Sequence, residues 1–496
     1  MAGLLDLPTE ILVSILEYPV VSDTTVYFLA LVCRQLHFVA LPIYFSRQGL
    51  TPSSKSITIN MHEDRRDLLA ALKSALFIPD IENIKCIFPH PSCISIFPLL
   101  IHLARLETYI SGLSSVKSVA LHLDVRGSVC LSVGNDRSLR AWTAALESLL
   151  NCIVEKKCVS LTIMDGSQFT RAYEPTPPVT RQSKLARLLS AVPRLLRRST
   201  KGMQEFRRVP RQGDAYIEMG IPLSVYRSSN LTSLEIHSTI LVLPPGLHWT
   251  LAALRTCPIT SLTLGRRIEE SGGWWTALPL IASAATQLTS LTLWESNLMS
   301  HGGYTDSFTE VSTLDFISRL PQLRHIIISH KASTDFSETD GPPLNLPNLE
   351  TISAPPTIIL HMLRPPSPLP KIQSICVMWP QPPVSRTISL LATALQPIFQ
   401  KPHPPRLSVS VKTSMYYPSG PFTIPIGDST FAHRVDALEI NVATYPPTDV
   451  AAMAAWIGLF PRVGQVDIQL SDSIQPGLRA DLARLLRVVK LTDFFG

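Results

Sequence analysis

The chain has 496 residues, enough for roughly two to four ordinary domains or for one small domain and a long repeat array. It is 45% hydrophobic and 17% charged, which excludes global disorder, and its 42 prolines against 22 glycines imply many short elements. The net charge of +6 is local: residues 171–211 hold eleven Lys and Arg against Glu174 and Glu205, a balance of +9, which leaves 6 − 9 = −3 for the rest. No basic, apolar leader opens the sequence, and no run of about 18 apolar residues occurs, so the expectation is a soluble intracellular protein, cytoplasmic or nuclear, with no membrane span. The eight cysteines form no C-x-x-C pair and read as reduced, buried thiols without zinc spacing.

Leu7-Pro8-Thr9-Glu10 reads as a helix start: Pro8 fits a first turn and Glu10 suits the positive end of the helix dipole. Ile11, Leu12, Ile15 and Leu16 then give an apolar stripe, which Pro19 ends. Asp23 is the expected cap of the next helical stretch, carried by Val26, Leu29, Ala30, Cys33, Leu36, Val39 and Ala40 and stopped by Pro42.

The order "LPTEILVSILEY … LALVCRQLHFVALPIYF" over about residues 4–47 resembles the F-box, in its fungal style. Leu7-Pro8, Glu10-Ile11-Leu12, Ile15-Leu16, Leu29, Val32-Cys33-Arg34, Leu36 and Leu41 carry the resemblance. The chain departs from the family at Tyr18-Pro19-Val20-Val21, where a leucine region usually ends the helix, and at Phe45, where many members have tryptophan. The resemblance implies a three-helix module over 1–48 that docks on the Skp-type adaptor of a cullin–RING ubiquitin ligase. It places Leu7, Pro8, Ile11, Leu12, Leu29, Val32 and Leu36 in the docking surface or directly beneath it. A plain helical cap on the body is the other reading of the same stripe.

From residue 54 a pattern apolar-x-x-apolar-x-apolar recurs. Its clearest copies are Leu231/Leu234/Ile236, Ile259/Leu262/Leu264, Leu288/Leu291/Leu293 and Leu323/Ile326/Ile328. Weaker ones begin at Ile81, Val116, Leu349, Ile372, Val435 and Val463. Helical stripes lie between them, at Leu139–Ile153, Thr276–Ala285, Ile388–Phe399 and Leu478–Val489. Strand-plus-helix units of about 20–29 residues resemble leucine-rich repeats. No unit can bury its face alone, so neighbours must stack. The expected fold is α/β: the helical module, then an irregular leucine-rich-repeat solenoid over 49–496 with parallel strands on the concave face and helices outside. An unrelated α/β domain with parallel strands is the competing architecture. The asparagine usual after the strand is missing, with Thr239, Arg267, Ser296 and Lys331 in its place. The long gap between strands near 158 and 231 predicts a basic insertion at about 171–225, partly helical and looping out.

No phosphate loop, His-Glu-x-x-His, nucleophile elbow or EF-hand occurs, so the expectation is a non-catalytic chain with no metal and no cofactor. His90, His102 and His122 could converge in space, but lone histidines in apolar segments read first as satisfied core residues. The alternation of the strand motif turns Ser233, Glu235 and His237, Ser261, Thr263 and Gly265, Ser290, Thr292 and Trp294, and His325, Ile327 and Ser329 outward. Among these, His237, Trp294 and His325 are the expected target-binding residues, Trp294 either as an anchor or as packing beneath a loop. The implied function is substrate receptor of an SCF-type ubiquitin ligase, reaching the cullin through the adaptor and holding an unknown target protein. A non-degradative scaffold, or a binder of nucleic acid or acidic membrane through 171–211, would use the same features differently.

Overall fold

The computed structural model describes residues 7–51, 54–61, 68–75, 81–88, 97–123, 136–166, 173–175, 206–208, 229–265, 274–294, 308–329, 344–364, 369–379, 385–413, 429–442, 456–471 and 489–494. They form an α/β fold of parallel strands joined by helices, in two compact units: residues 1–259 with 270–277, and residues 260–269 with 278–496.

The first unit opens with three helices, α1 (Thr9–Glu17), α2 (Asp23–Ala30) and α3 (Arg34–Arg47). The Pro8 carbonyl accepts the first helical bonds, from Ile11 and Leu12 at 3.0 and 3.1 Å. Ser22, rather than Asp23, caps α2, its hydroxyl accepting the Thr25 N–H at 3.2 Å. The stretch expected to run from residue 23 to Pro42 is two helices, because the chain turns extended at Cys33 (φ −156°). Pro42 does not stop α3; it lies inside it. Pro42 stands on the exposed face of α3, where the helix accommodates it. Leu12, Leu16, Val26, Ala30, Leu36, Ala40 and Leu41 bury the module's core, α3 packing against both other helices.

The chain then alternates β1 (Ser56–Asn60), α4 (Leu68–Ser74), β2 (Asn83–Ile87), α5 (Phe97–Gly112), β3 (Ser118–Leu123), α6 (Asp136–Glu155) and β4 (Ser160–Asp165). A short antiparallel pair follows, β5 (Tyr173–Pro175) with β6 (Phe206–Arg208), then β7 (Ser233–His237) and α7 (Gly246–Thr256). Strands β1–β4 and β7 are parallel and in register, so that Ile57, Ile84, Val119, Leu161 and Leu234 form one column. Ile59, Cys86, Leu121, Ile163 and Ile236 form the next, and both columns are buried. Since β4 pairs directly with β7, residues 167–228 connect two neighbouring strands. Apart from β5 and β6 the basic segment lies outside the described residues.

In the second unit come β8 (Ser261–Leu264), α8 (Trp274–Ala284, from residue 278 on), β9 (Ser290–Trp294), α9 (Phe308–Ser318), β10 (His325–Ser329), β11 (Thr351–Ala354), α10 (Pro356–Met362), β12 (Ser374–Trp379), α11 (Ser385–Phe399), β13 (Arg406–Thr413), α12 (Ser429–Ala432), β14 (Ala437–Val442), β15 (Gln465–Ser471) and β16 (Val489–Phe494). These strands pair in parallel, each with the next. Leu262, Leu291, Ile326, Ile352, Ile375 and Leu407 make one buried column. At β14 the register slips by two: Leu438 meets Val409, not Leu407. A slip of two keeps the same face inward. Asp436 closes the offset, its carboxylate taking the Leu407 N–H at 3.1 Å while its own N–H bonds the Leu407 carbonyl at 2.7 Å. Val489, expected at the end of a helix, begins β16, and 472–488 lie outside the described residues.

After β7 the segment Ser238–Leu247 is buried throughout, unusual for a connection. It satisfies its own polar groups: Ser238 Oγ accepts the Ile240 N–H at 3.2 Å, and the Thr250 hydroxyl donates to the Leu241 carbonyl at 2.6 Å. This replaces the missing asparagine in that repeat. The packing leaves no room at Gly246, where an added Cβ would stand 2.1 Å from the Ile240 carbonyl oxygen. Gly246→Ala should therefore lower unfolding free energy by about 1–3 kcal/mol, the usual range for overpacking. Gly112→Ala, with nothing within 4 Å, should not. Urea denaturation of the two variants checks this, and equal midpoints would contradict the packing.

Candidate interaction surfaces

On the helical module Ile11, Ile15 and Tyr18 follow one another at helical spacing, all exposed, and Val20 continues beyond the helix end. Around the α2–α3 break Phe28, Leu31, Val32 and Phe38 are exposed as well, with the Arg34 guanidinium 5.8 Å above the Phe38 ring. Of the residues expected to serve an adaptor, Pro8, Ile11 and Val32 lie at the surface, and Leu7 and Leu29 are half-exposed. Leu12 and Leu36 are buried beneath. Sequence reasoning left Ile15, Tyr18, Val20, Phe28, Leu31 and Phe38 out of that set. The signal was present in α1: apolar side chains at 11, 12, 15, 16 and 18 cover more of a helix than one core-facing stripe needs.

In the first unit the sheet face opposite the buried columns starts each strand with a small polar residue: Ser56, Asn83, Ser118, Ser160 and Ser233 lie side by side. Two residues further along, Thr162 and Glu235 are neighbours. Glu235 bridges its own strand and the next. Its Oε1 is 2.6 Å from His237 Nε2, and its Oε2 accepts the Thr162 hydroxyl at 3.0 Å. The hydrogen bond from His237 is the main cause holding the Glu235 carboxyl below its ordinary value; partial burial works against it and Thr162 adds to it. His122 lies on this face, half-exposed, whereas His102 is buried on α5, so the two do not converge. His90 lies outside the described residues.

In the second unit Trp294 is 45% exposed and Ile327 40%, two large apolar groups on neighbouring strands of the open face. Register places Ser329, not His325, beside Trp294. His325 pairs with Ser290, four residues back along β9, or about 13 Å at the rise of a strand. It is exposed, with Nδ1 2.9 Å from the Thr351 hydroxyl oxygen. His237 belongs to the first unit, Trp294 and His325 to the second. Gly265, expected to face outward, is buried just past the end of β8.

Burial pushes the thiol of Cys152 up to about 11 and that of Cys158 up to about 12, which keeps both protonated and unreactive at neutral pH. Among the described residues no three His, Cys, Asp or Glu side chains gather as a metal site, and no helix is long and apolar enough to cross a membrane.

No family model matches the chain, and no curated protein does. A solved structure with some likeness is a Bacteroides fragilis protein determined as a Northeast Structural Genomics Consortium target. It is 10% identical over 51% of this chain and 68% of its own, with a TM-score of 0.29, too slight a likeness to carry an argument.

Glu235 has a measurable signature. A carboxyl with a lowered folded value contributes stability above the ordinary Glu value of about 4.3, and that contribution is lost as pH falls through the folded value. Between about pH 7 and pH 3 the wild-type chain should thus lose more stability than Glu235→Gln. Urea midpoints at both pH values check this, and equal losses would remove the Glu235–His237 interaction.

Proposed function

We propose that this chain is a two-part receptor, an F-box-like module that binds a Skp-type adaptor and a leucine-rich-repeat-like body that takes a target protein. The observation that carries the reading is where apolar surface is left open. Of the thirteen large hydrophobic residues exposed among the described residues, eight lie between Ile11 and Phe38. A module of about forty residues with that much open apolar surface is expected to be covered by a partner. The F-box resemblance names the partner. Through the adaptor the chain would join a cullin–RING ligase, cytoplasmic or nuclear, and hold a target where ubiquitin transfer gains from proximity. Trp294 and Ile327 are the natural anchors for that target, since exposed tryptophan is enriched among binding hot spots.

The test uses the full chain with a purified Skp-type adaptor. Ile11→Asp with Ile15→Asp puts charge on surface residues without touching the core. Adaptor affinity should fall by a factor of about 30 or more, the equivalent of one lost hot spot of about 2 kcal/mol, with the melting temperature nearly unchanged. Trp294→Ala should leave adaptor affinity unchanged and reduce recovery of the target from cell extract. Undiminished adaptor binding by the first variant, or none by the wild-type chain, would end the F-box reading.

A further inference from the structure

The turn between α1 and α2 is tied down by a single side chain from the far end of the module. Arg47, in the last turn of α3, is only 21% exposed. Its Nη1 donates to the Val21 carbonyl at 2.5 Å and to Asp23 Oδ1 at 3.1 Å. Its Nη2 donates to the Leu16 carbonyl at 2.6 Å and to the Tyr18 carbonyl at 3.2 Å. Gln48 completes the set, Nε2 donating to Asp23 Oδ2 at 3.0 Å. One guanidinium therefore gathers three backbone carbonyls and a carboxylate from residues 16–23.

A planar fork with five donors suits this task, and an ammonium does not. Leu16 stands in the last turn of α1, where a helix leaves its carbonyls without intrahelical partners, and Arg47 supplies one; the Tyr18 carbonyl also takes the Val21 N–H at 3.0 Å. The turn it holds carries Tyr18 and Val20, apolar residues exposed to 63% and 83%. Neither side chain helps to build the core, so the fold itself gains little from fixing where they stand. A partner gains more: an apolar corner already ordered costs less entropy to bind than a free loop.

We propose that Arg47 is a positioning residue of the module's docking surface. It fixes the Tyr18–Val20 corner as the continuation of the Ile11–Ile15 stripe, and so raises affinity for the adaptor without touching it. This rests on the reading of the module as adaptor-binding.

A double-mutant cycle on adaptor affinity tests it, with Arg47→Ala, the pair Tyr18→Ala/Val20→Ala, and all three together in the full chain. Arg47→Ala alone and the pair alone should each weaken binding by about tenfold. The triple variant should be no worse than the pair by more than a factor of about two, because Arg47 acts only through that corner. Arg47→Lys keeps the charge and loses the fork, and should behave like Arg47→Ala. Hydrogen exchange should rise at amides 17–23 in Arg47→Ala and stay unchanged through α3. If Arg47→Ala does not fold, Asp23→Asn removes one partner of the clamp and should show a smaller loss, again absorbed by the Tyr18/Val20 pair. Losses that multiply, or full affinity in Arg47→Lys, would overturn the proposal while leaving adaptor binding intact. No binding by the wild-type chain would instead overturn the module reading, and this proposal with it.

Discussion

Strand after strand is entered by the same step. The carbonyl of the residue before a strand accepts two N–H groups, from the residues at the same point in the next repeat. In the first unit Lys55 takes Glu82 and Asn83, Glu82 takes Lys117 and Ser118, Lys117 takes Val159 and Ser160, and Val159 takes Thr232 and Ser233. In the second, Thr260 takes Thr289 and Ser290, Thr289 takes Arg324 and His325, and Arg324 takes Glu350 and Thr351. Buried backbone groups left unpaired are costly, so each repeat depends on its neighbour for polar satisfaction as well as for cover of its apolar face.

Fixing the entry fixes the register, and the register fixes which side chains are inward. That is why the isoleucines, leucines and valines of successive strands stand in columns. It is also why the residues between them reach the open face in ordered rows. The same entry sets charges side by side, as with Lys55 and Glu82, or Arg324 and Glu350. Exposed pairs of this kind add little stability. A face so firmly registered holds Trp294 at the surface, 45% exposed.

Much of this was legible because burial and strand alternation share one period. The motif copies fall on β2, β3, β7–β12, β14 and β15, and three of the four helical stripes on α6, α8 and α11. Of the strands that escaped, β1 and β13 lack the leading apolar residue: Ser54 and Pro404 stand three residues before Ile57 and Leu407. Pro42 misled because a proline stops a helix only where its lost bond cannot be replaced, and exposure is a tertiary fact. The proposed docking surface was half legible. Leu12 and Leu36 carry the family pattern but support the surface from below, while Tyr18 and Val20 break the pattern and are exposed. The Arg47 clamp was not legible at all, since it joins residues 24 to 31 positions apart through backbone carbonyls that any sequence would offer.

The central claim is that the apolar surface of the helical module, and not the repeat body, meets the adaptor. Hydrogen–deuterium exchange of the full chain, alone and saturated with a purified Skp-type adaptor, tests it most directly. The account predicts that adaptor slows exchange across residues 9–38 and leaves the amides of β1–β4 and β8–β13 unchanged. Protection confined to the strands, or none anywhere at saturating adaptor, would contradict it.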